Sequence, residues 1–243
     1  MLHHNNFYRA SEGQSNDRCF EVSRADFLSV SSVPGAGRTP NTIAAKRALD
    51  VVGSLCAITF FLPLMLLVAF CIWLTDRGPI FFRQVRIGKD GKTFQCLKFR
   101  SMAVDSDVIL AHLLKTDEFA RAEWERLHKL TRDPRVTLIG RFLRLSSLDE
   151  IPQFINVLKG EMSLVGPRPI VFAETERYGR YMCEYVAVKP GLSGLWQVSG
   201  RNDTTYRRRV ALDVAYARNW SFSMDVWILW RTVPAVLKWR GAY

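Results

Sequence analysis

The chain has 243 residues, with 34 Lys and Arg against 23 Asp and Glu, for a formal net charge of +11. Such a charge invites a nucleic-acid reading, but anionic lipid headgroups and phosphorylated substrates attract basic proteins through the same long-range field. The five cysteines form no CxxC pair and the four histidines no HExxH cluster, so neither a disulfide framework nor a transition-metal site is indicated.

Residues 1–42 are rich in Ser, Asn, Gly and charged groups and close on Pro34, Gly35, Gly37 and Pro40, the composition of a flexible tail. The segment is too polar and too long to read as a signal peptide. Asn41 or Thr42 is the expected cap of a helix leading into the uncharged run Val51 to Leu74. At 1.5 Å per residue that run makes roughly 36 Å of helix, enough for a hydrocarbon core about 30 Å thick. Beside such a segment, lipid explains the basic charge better than nucleic acid. Pro63 lies near the middle of the run, where its ring and missing N–H favour a bend. Lys46 and Arg47 precede the run and Arg77, Arg83 and Arg86 follow it, so basic groups mark both ends for the cytoplasmic side. The expectation is a re-entrant membrane helix over 43–76, broken at Pro63; a kinked single span is the alternative.

After a Gly78-Pro79 turn, strand-like runs at Ile80 to Ile87 and Thr93 to Phe99 flank Gly88-Lys-Asp-Gly91, the pattern of a β-hairpin. Ala103 to Leu130 suits one or two helices with a solvated face, whose Asp105, Asp107, Asp117 and Glu118 are surface groups. Leu148, Ile151, Phe154 or Ile155, and Leu158 recur at helical spacing up to a stop at Lys159-Gly160. Gly166-Pro-Arg-Pro169 is a rigid turn, Glu174 to Tyr185 reads as helix, Leu195 to Val198 as a short strand, and Thr204 to Arg218 as helix. From Trp220 to Trp239, tryptophans alternate with Arg231 and Lys238, a mixture suited to the headgroup layer or to an ordinary packed helix. Pro234 disfavours a second crossing. The 77–243 region is thus expected to be one cytoplasmic domain ending in interfacial amphipathic helices.

Asp149 and Glu150 are adjacent carboxylates at a helix start. Ser147 with Glu150 matches a capping box, and Asp149 as N-cap would place Pro152 in the first turn, so a structural reading is available. Against it stand Arg135, Arg141, Arg144, Arg168 and Arg201, more arginine than one Asp-Glu pair needs and well matched to phosphate oxygens. Carboxylates beside phosphate either hold a divalent ion such as Mg²⁺ or attack phosphorus. Asp149 then reads as nucleophile and Glu150 as metal ligand or local base. Gly166 and the two prolines stiffen the backbone around Arg168, while Lys98 and Arg100 either add phosphate contacts or protect a strand edge. Trp196, Gln197, Arg201, Asn202 and Asp203 could furnish a stacking surface and polar contacts to a sugar or nucleotide. Arg207, Arg208 and Arg209 read first as a membrane-facing or solvated helix face and second as a ligand site. Neither GxxxxGK[ST] nor GxGxxG occurs, which disfavours those nucleotide sites.

Three stretches, FFRQVRIGKDGKTFQCLKFRSM (81–102), TRDPRVTLIGRFLRLSSLDEIPQFINVLKGEMSLVGPRP (131–169) and KPGLSGLWQVSGRND (189–203), resemble the bacterial sugar transferases, the monotopic polyprenyl-phosphate phosphoglycosyl transferases. The likeness covers about residues 43 to 240, and the length and closing TVPAVLKWRGAY are most similar to short members that start exopolysaccharide synthesis from UDP-galactose. It implies an α/β, mainly helical monotopic protein of the bacterial inner membrane with its catalytic domain on the cytoplasmic face. Implied chemistry is transfer of a sugar 1-phosphate from a UDP-sugar to undecaprenyl phosphate with release of UMP, Asp149 and Glu150 acting as a catalytic dyad, Arg144 and Arg168 binding phosphate, and Mg²⁺ as cofactor. Implied partners are those two substrates, anionic membrane lipids and downstream glycosyltransferases, with room for a homo-oligomer and none for nucleic acid. The family's Ser-Pro helix break falls on Leu62-Pro63, so the proline is kept and the serine is not. Two other readings compete: a non-enzymatic membrane adaptor, and a glycosyltransferase that releases UDP.

Overall fold

The computed structural model describes residues 39–127, 130–131, 133–199 and 205–237. The expected tail therefore lies almost wholly outside the described residues, as do Arg201, Asn202 and Asp203.

Helix α1, Pro40–Asp76, carries the apolar run. Its cap is Thr39, not Asn41 or Thr42: the Thr39 hydroxyl accepts from the Thr42 N–H at 3.2 Å, and Thr42 Oγ1 accepts in return from the Thr39 N–H at 2.9 Å. Pro40 explains the earlier start, because its fixed φ suits the first turn and its missing N–H would have no intrahelical partner there. The break expected at Pro63 is not seen: helical structure continues through it to Arg77, whose left-handed backbone (φ 52°) ends the helix. With 37 residues the helix is about 55 Å long and, by length and composition, able to cross a membrane.

Both halves of α1 are fastened to one lobe. Lys46, Arg47, Asp50 and Ser54 lie at spacings that put them on adjoining parts of one helix face. Lys46 donates to Asp225 Oδ2 (2.6 Å) and the Val165 carbonyl (3.0 Å), and Arg47 to the Val157 and Leu158 carbonyls (both 2.7 Å). Buried Asp50 accepts from Ser163 Oγ (2.9 Å) and the Leu164 N–H (2.8 Å). In the other half Met65, Val68 and Ile72 bury against Phe99, Leu143 and Ile151. Between and outside these contacts, Val52, Leu55, Phe60, Leu62, Leu66, Leu67 and Phe70 are exposed.

Strands β1 (Phe81–Ile87) and β2 (Thr93–Phe99) pair antiparallel from Phe81 opposite Phe99 to Ile87 opposite Thr93. The expected Gly88–Gly91 connection joins them, with Asp90 (φ 58°) and Gly91 (φ 71°) in the left-handed region that such turns require. Helices α2 (Ser106–Thr116) and α3 (Glu118–Leu127) follow, then α4 (Leu138–Ser146), α5 (Gln153–Lys159) and β3 (Ser163–Val165). Buried Asn156 of α5 pins β2, donating to the Gln95 carbonyl at 2.8 Å and accepting from the Leu97 N–H at 3.0 Å.

The predicted 174–185 helix is instead two short ones, α6 (Thr175–Tyr178) and α7 (Met182–Val186), separated at Gly179, whose φ of 49° with ψ of −128° is not helical. Strand β4 is Gly191–Ser193, parallel to β3, and Leu195–Val198 is a helical turn, α8, not the expected strand. Pairing between residues almost thirty apart selected the strand, which local composition does not encode. Gly166 and Gly191 make that approach feasible: a Cβ on Gly191 would lie 2.0 Å from the Gly166 nitrogen. Helices α9 (Tyr206–Asn219) and α10 (Phe222–Leu237) close the described chain. Trp220, expected among headgroups, is buried with its Nε1 donating to Asp225 at 2.9 Å; Trp227 and Trp230 are exposed. The result is mainly helical, with two two-stranded sheets and one long apolar helix.

Candidate active site

Asp149 and Glu150 sit in the 3-10 turn Leu148–Glu150 between α4 and α5. The capping expectation does not hold. Ser147 adopts φ 58° as the end of α4 and makes no side-chain cap, and the residue preceding α5 is Pro152. Both carboxylates are consequently free of helix-capping duty.

Lys98, near the end of β2, meets them. Its Nζ stands 2.5 Å from Glu150 Oε1 and 3.8 Å from Asp149 Oδ2. Asn156 fixes β2 against α5 one residue before Lys98, so the hairpin delivers the ammonium to the start of the helix that it packs on. Burial opposes the charge on Lys98, but Glu150 and Asp149 more than offset it and hold its pKa above the usual lysine value. Burial likewise opposes the charge on Glu150; the ammonium's field and hydrogen bond, aided by Arg168 and Arg86, prevail and keep it below the usual range. Asp149 is different. Its side chain is 13 % exposed, against 44 % for Glu150, and burial lifts its pKa to about 6 despite Lys98, with the Glu150 charge pushing the same way and Arg144 opposing. Two neighbouring carboxyls are thus driven apart in acidity by their surroundings, one nearly titrating at neutral pH and one firmly ionised.

The cations expected here divide into two sets. Arg144 is exposed, directed by a bond from its Nε to Ser101 Oγ at 2.9 Å, and its field reaches Asp149. Arg168 lies 6.0 Å from the Trp196 ring and its field reaches Glu150. Arg100, by contrast, is buried and ion-paired with Asp76 at the end of α1, which occupies it structurally. Arg135 is clamped by Asp133, with bonds of 2.8 and 2.7 Å, beneath Trp124. Trp196 is only 8 % exposed, with Arg168 and Arg209 over its ring, so it supports arginines instead of offering an open stacking face. Gln197 donates to the Leu192 carbonyl at 3.1 Å.

Several residues were not legible as site components. Arg86 donates to the Pro169 carbonyl at 3.0 Å, and the Tyr185 hydroxyl bridges the Ile87 carbonyl (2.9 Å) and the Ile170 N–H (3.1 Å), so the hairpin end holds the exit of the Gly166–Pro169 turn. Buried Asp213 accepts from Tyr178 Oη at 2.7 Å, and burial raises its carboxyl to about 7 while Tyr178, Arg209 and Arg168 pull it down. A signal for Asp213 existed: it shares helical spacing with apolar Val210, Val214 and Ala217, an acid on a buried face.

Among the described residues no three His, Cys, Asp or Glu side chains cluster as a metal cage. Glu150 still fits a divalent cation held mainly by substrate, because its exposed carboxylate engages Lys98 through Oε1 alone. Mg²⁺ characteristically takes one or two carboxylates together with substrate phosphates.

Two carboxyls of unequal acidity between arginines are thus carried by a lobe fastened to a long apolar helix that is able, by length and composition, to cross a membrane. Residues 41–239 match the bacterial sugar transferase model, and the chain belongs to that family. It is 51 % identical over 198 residues to a UDP-galactose-lipid carrier transferase of Erwinia amylovora, covering 82 % of this chain and 41 % of that protein. Identity to an undecaprenyl-phosphate galactose phosphotransferase of Salmonella typhimurium is 50 %, with the same coverage of each. The exopolysaccharide production protein ExoY of Rhizobium meliloti is 46 % identical over 199 residues, 82 % of this chain and 88 % of that one. The chain therefore spans about two fifths of the first two relatives and most of the third.

Proposed function

We propose that the chain is a phosphoglycosyl transferase that moves a sugar 1-phosphate, with galactose the leading candidate, from a UDP-sugar to undecaprenyl phosphate as the first step of exopolysaccharide synthesis. One observation carries the reading: Asp149 and Glu150 meet the same Lys98, but the ammonium is hydrogen-bonded to Glu150 at 2.5 Å and stands 3.8 Å from Asp149, so burial prevails only at Asp149 and lifts it to about 6. A carboxylate of that kind, ionised at neutral pH and poorly hydrated, suits nucleophilic attack.

In the first step an Asp149 oxygen attacks the sugar-bearing phosphorus, the bond from that phosphorus to the bridging oxygen breaks, and UMP leaves with that oxygen. The aspartyl phosphosugar is then attacked at the same phosphorus by an oxygen of undecaprenyl phosphate, which forms the diphosphate and returns the Asp149 carboxylate. Lys98 and Arg144 face the charge that develops around this phosphorus, and Arg168 faces the departing nucleotide. Such fixed cations lower the barrier because they need no reorganisation during the reaction. Glu150 would hold Mg²⁺ against the substrate phosphates, where the ion supplies charge neutralisation.

Placement supports the same reading. Polar ties at Lys46, Arg47 and Asp50 and apolar ones at Met65, Val68 and Ile72 bind both halves of α1 to one lobe, which favours a helix that enters and leaves by one face. The lobe that follows α1 would then lie on the cytoplasmic side of the inner membrane, with exposed Trp227 and Trp230 among anionic headgroups and the lipid product passed to downstream glycosyltransferases.

The test is incubation of purified protein with undecaprenyl phosphate, Mg²⁺ and a panel of UDP-sugars while nucleotide products are resolved. UMP release with galactose preferred is expected. UDP release would indicate a glycosyltransferase, and no release with any sugar would overturn the reading.

A further inference from the structure

Buried polar atoms without a hydrogen-bond partner gather where α8 and α9 approach the Gly166–Pro169 turn: Trp196 Nε1, Gln197 Oε1, Tyr206 Oη, Arg209 Nε and Asp213 Oδ1. Native structures rarely leave such atoms unpaired, and the three donors among them, Trp196 Nε1, Tyr206 Oη and Arg209 Nε, call for an acceptor ligand that pairs them on arrival. Two guanidiniums share the locality. Arg209 lies 4.3 Å from the Trp196 ring and 5.4 Å from the Tyr206 ring, while Arg168 lies 6.0 Å from the same indole. Neither has a carboxylate within ion-pair distance among the described residues. Asp213, whose field reaches both, gives its Oδ2 to Tyr178. Burial and the neighbouring Arg168 both disfavour the charge on Arg209, and Arg86, itself paired with Glu174 at 3.6 Å, faces Arg168 in turn, so Glu174 and Asp213 offset the three guanidiniums only in part.

We propose that Arg209 and Arg168, backed by Trp196 and with Tyr206 Oη as a further donor, form the subsite for the nucleotide-side phosphate of a nucleoside diphosphate sugar, the phosphate that leaves as part of the nucleoside monophosphate. This rests on the phosphoglycosyl transferase reading above. Charge distribution selects the donor over the lipid acceptor. Arg144 stands apart on Ser101 Oγ, whereas Arg168 and Arg209 share the Trp196 ring, and the field of Arg168 also bears on Glu150. The larger cluster suits the substrate that brings two phosphates, and the aromatic backing keeps both forks planar and oriented for phosphate oxygens.

The experiment is isothermal titration of UMP, with other nucleoside monophosphates as a panel, into the full chain in detergent, together with steady-state kinetics of the same samples. Arg209→Gln is expected to weaken UMP about 10- to 100-fold, a loss typical of a charge-assisted fork. Arg209→Lys, which keeps the charge and most of the stem, is expected to weaken it about 3- to 10-fold, and Tyr206→Phe by a similar small factor. KM for the UDP-sugar should rise in step while KM for undecaprenyl phosphate stays within about twofold. Circular dichroism establishes that each variant is folded, and the milder pair keeps the test open where Arg209→Gln does not fold. A rise in KM for undecaprenyl phosphate with UMP affinity unchanged would assign the cluster to the acceptor and overturn the proposal, as would folded variants with no effect on either ligand. Wild-type protein that binds no nucleoside monophosphate would overturn it too. UMP release that does not depend on Arg209 would leave the transferase reading standing and this subsite fallen.

Discussion

Lys98 and Glu150 form an ion pair of 2.5 Å between the end of strand β2 and the turn before α5, and the same ammonium reaches Asp149 at 3.8 Å. That contact joins residues 52 apart in the chain and gives two adjacent carboxyls different acidities.

Asp149→Asn should reduce transfer more than about 10³-fold, because the amide is not a nucleophile. It should also stabilise the fold at pH 7.5. Ionised Asp149 is disfavoured when folded, and the interval from 3.8 to about 6 corresponds to at most about 3 kcal/mol. Loss of turnover with a thermal transition a few degrees higher is the expected pair of results; normal turnover removes the nucleophile assignment.

Activity should fall with a slope of one below pH about 6, as Asp149 takes up a proton. Lys98→Met removes the charge that favours ionised Asp149, so the acid limb should move upward by about one pH unit, beyond any loss of maximal rate. A profile of kcat/KM against pH for both proteins reads this directly, and an unmoved limb would separate Lys98 from the acidity of Asp149.

Asp213 gives a pH dependence of stability. Its folded pKa, about 7, is raised above 3.8, so ionisation costs the folded state and stability declines as pH rises through 7. Asp213→Asn still accepts from Tyr178 but no longer titrates. Thermal scans from pH 5.5 to 8.5 should show the variant flatter than wild type and relatively more stable at the alkaline end; parallel curves would contradict the buried-acid account.

Asp225 accepts from Lys46 (2.6 Å), Tyr216 (2.7 Å) and Trp220 (2.9 Å) and is fully buried. Asp225→Ala removes the counter-ion of Lys46 and the acceptor of Trp220 Nε1, leaving Lys46 and Tyr216 the Val165 carbonyl, a loss of about 3–5 kcal/mol. Hydrogen exchange should accelerate over the first turns of α1, and a change confined to α10 would show that the clip does not hold the membrane helix.

Single cysteines introduced at Asn41 and Arg77, in a background without the native ones, should react with a membrane-impermeant maleimide from the same side of sealed vesicles. Labelling from opposite sides would make α1 a span.

The hairpin was readable because alternation and the Gly88–Gly91 turn are local: its observed strands start and stop within one residue of those expected. The same holds for the apolar helix, whose length follows from composition. Asp149 as N-cap failed because α4 ends on a left-handed Ser147 and a 3-10 turn carries both carboxylates before α5 begins at Gln153. Leu195–Val198 failed as a strand because β3 paired with the residues just before it. For Arg100 and Arg209 the sequence left two readings each, and contacts across the fold set their surroundings: Arg100 pairs with Asp76, and Arg209 lies over Trp196.

By itself the sequence determined the long apolar helix, the hairpin, and the motifs that place the chain among the bacterial sugar transferases, since periodicity, turn chemistry and residue order act over a few positions. Only the tertiary structure decided which cations remain for phosphate, that Asp149 and not Glu150 is the weaker acid, and that both halves of α1 hold the same lobe. Desolvation and Coulomb interactions depend on groups a few ångströms apart in space, and here those groups are brought together from distant parts of the chain.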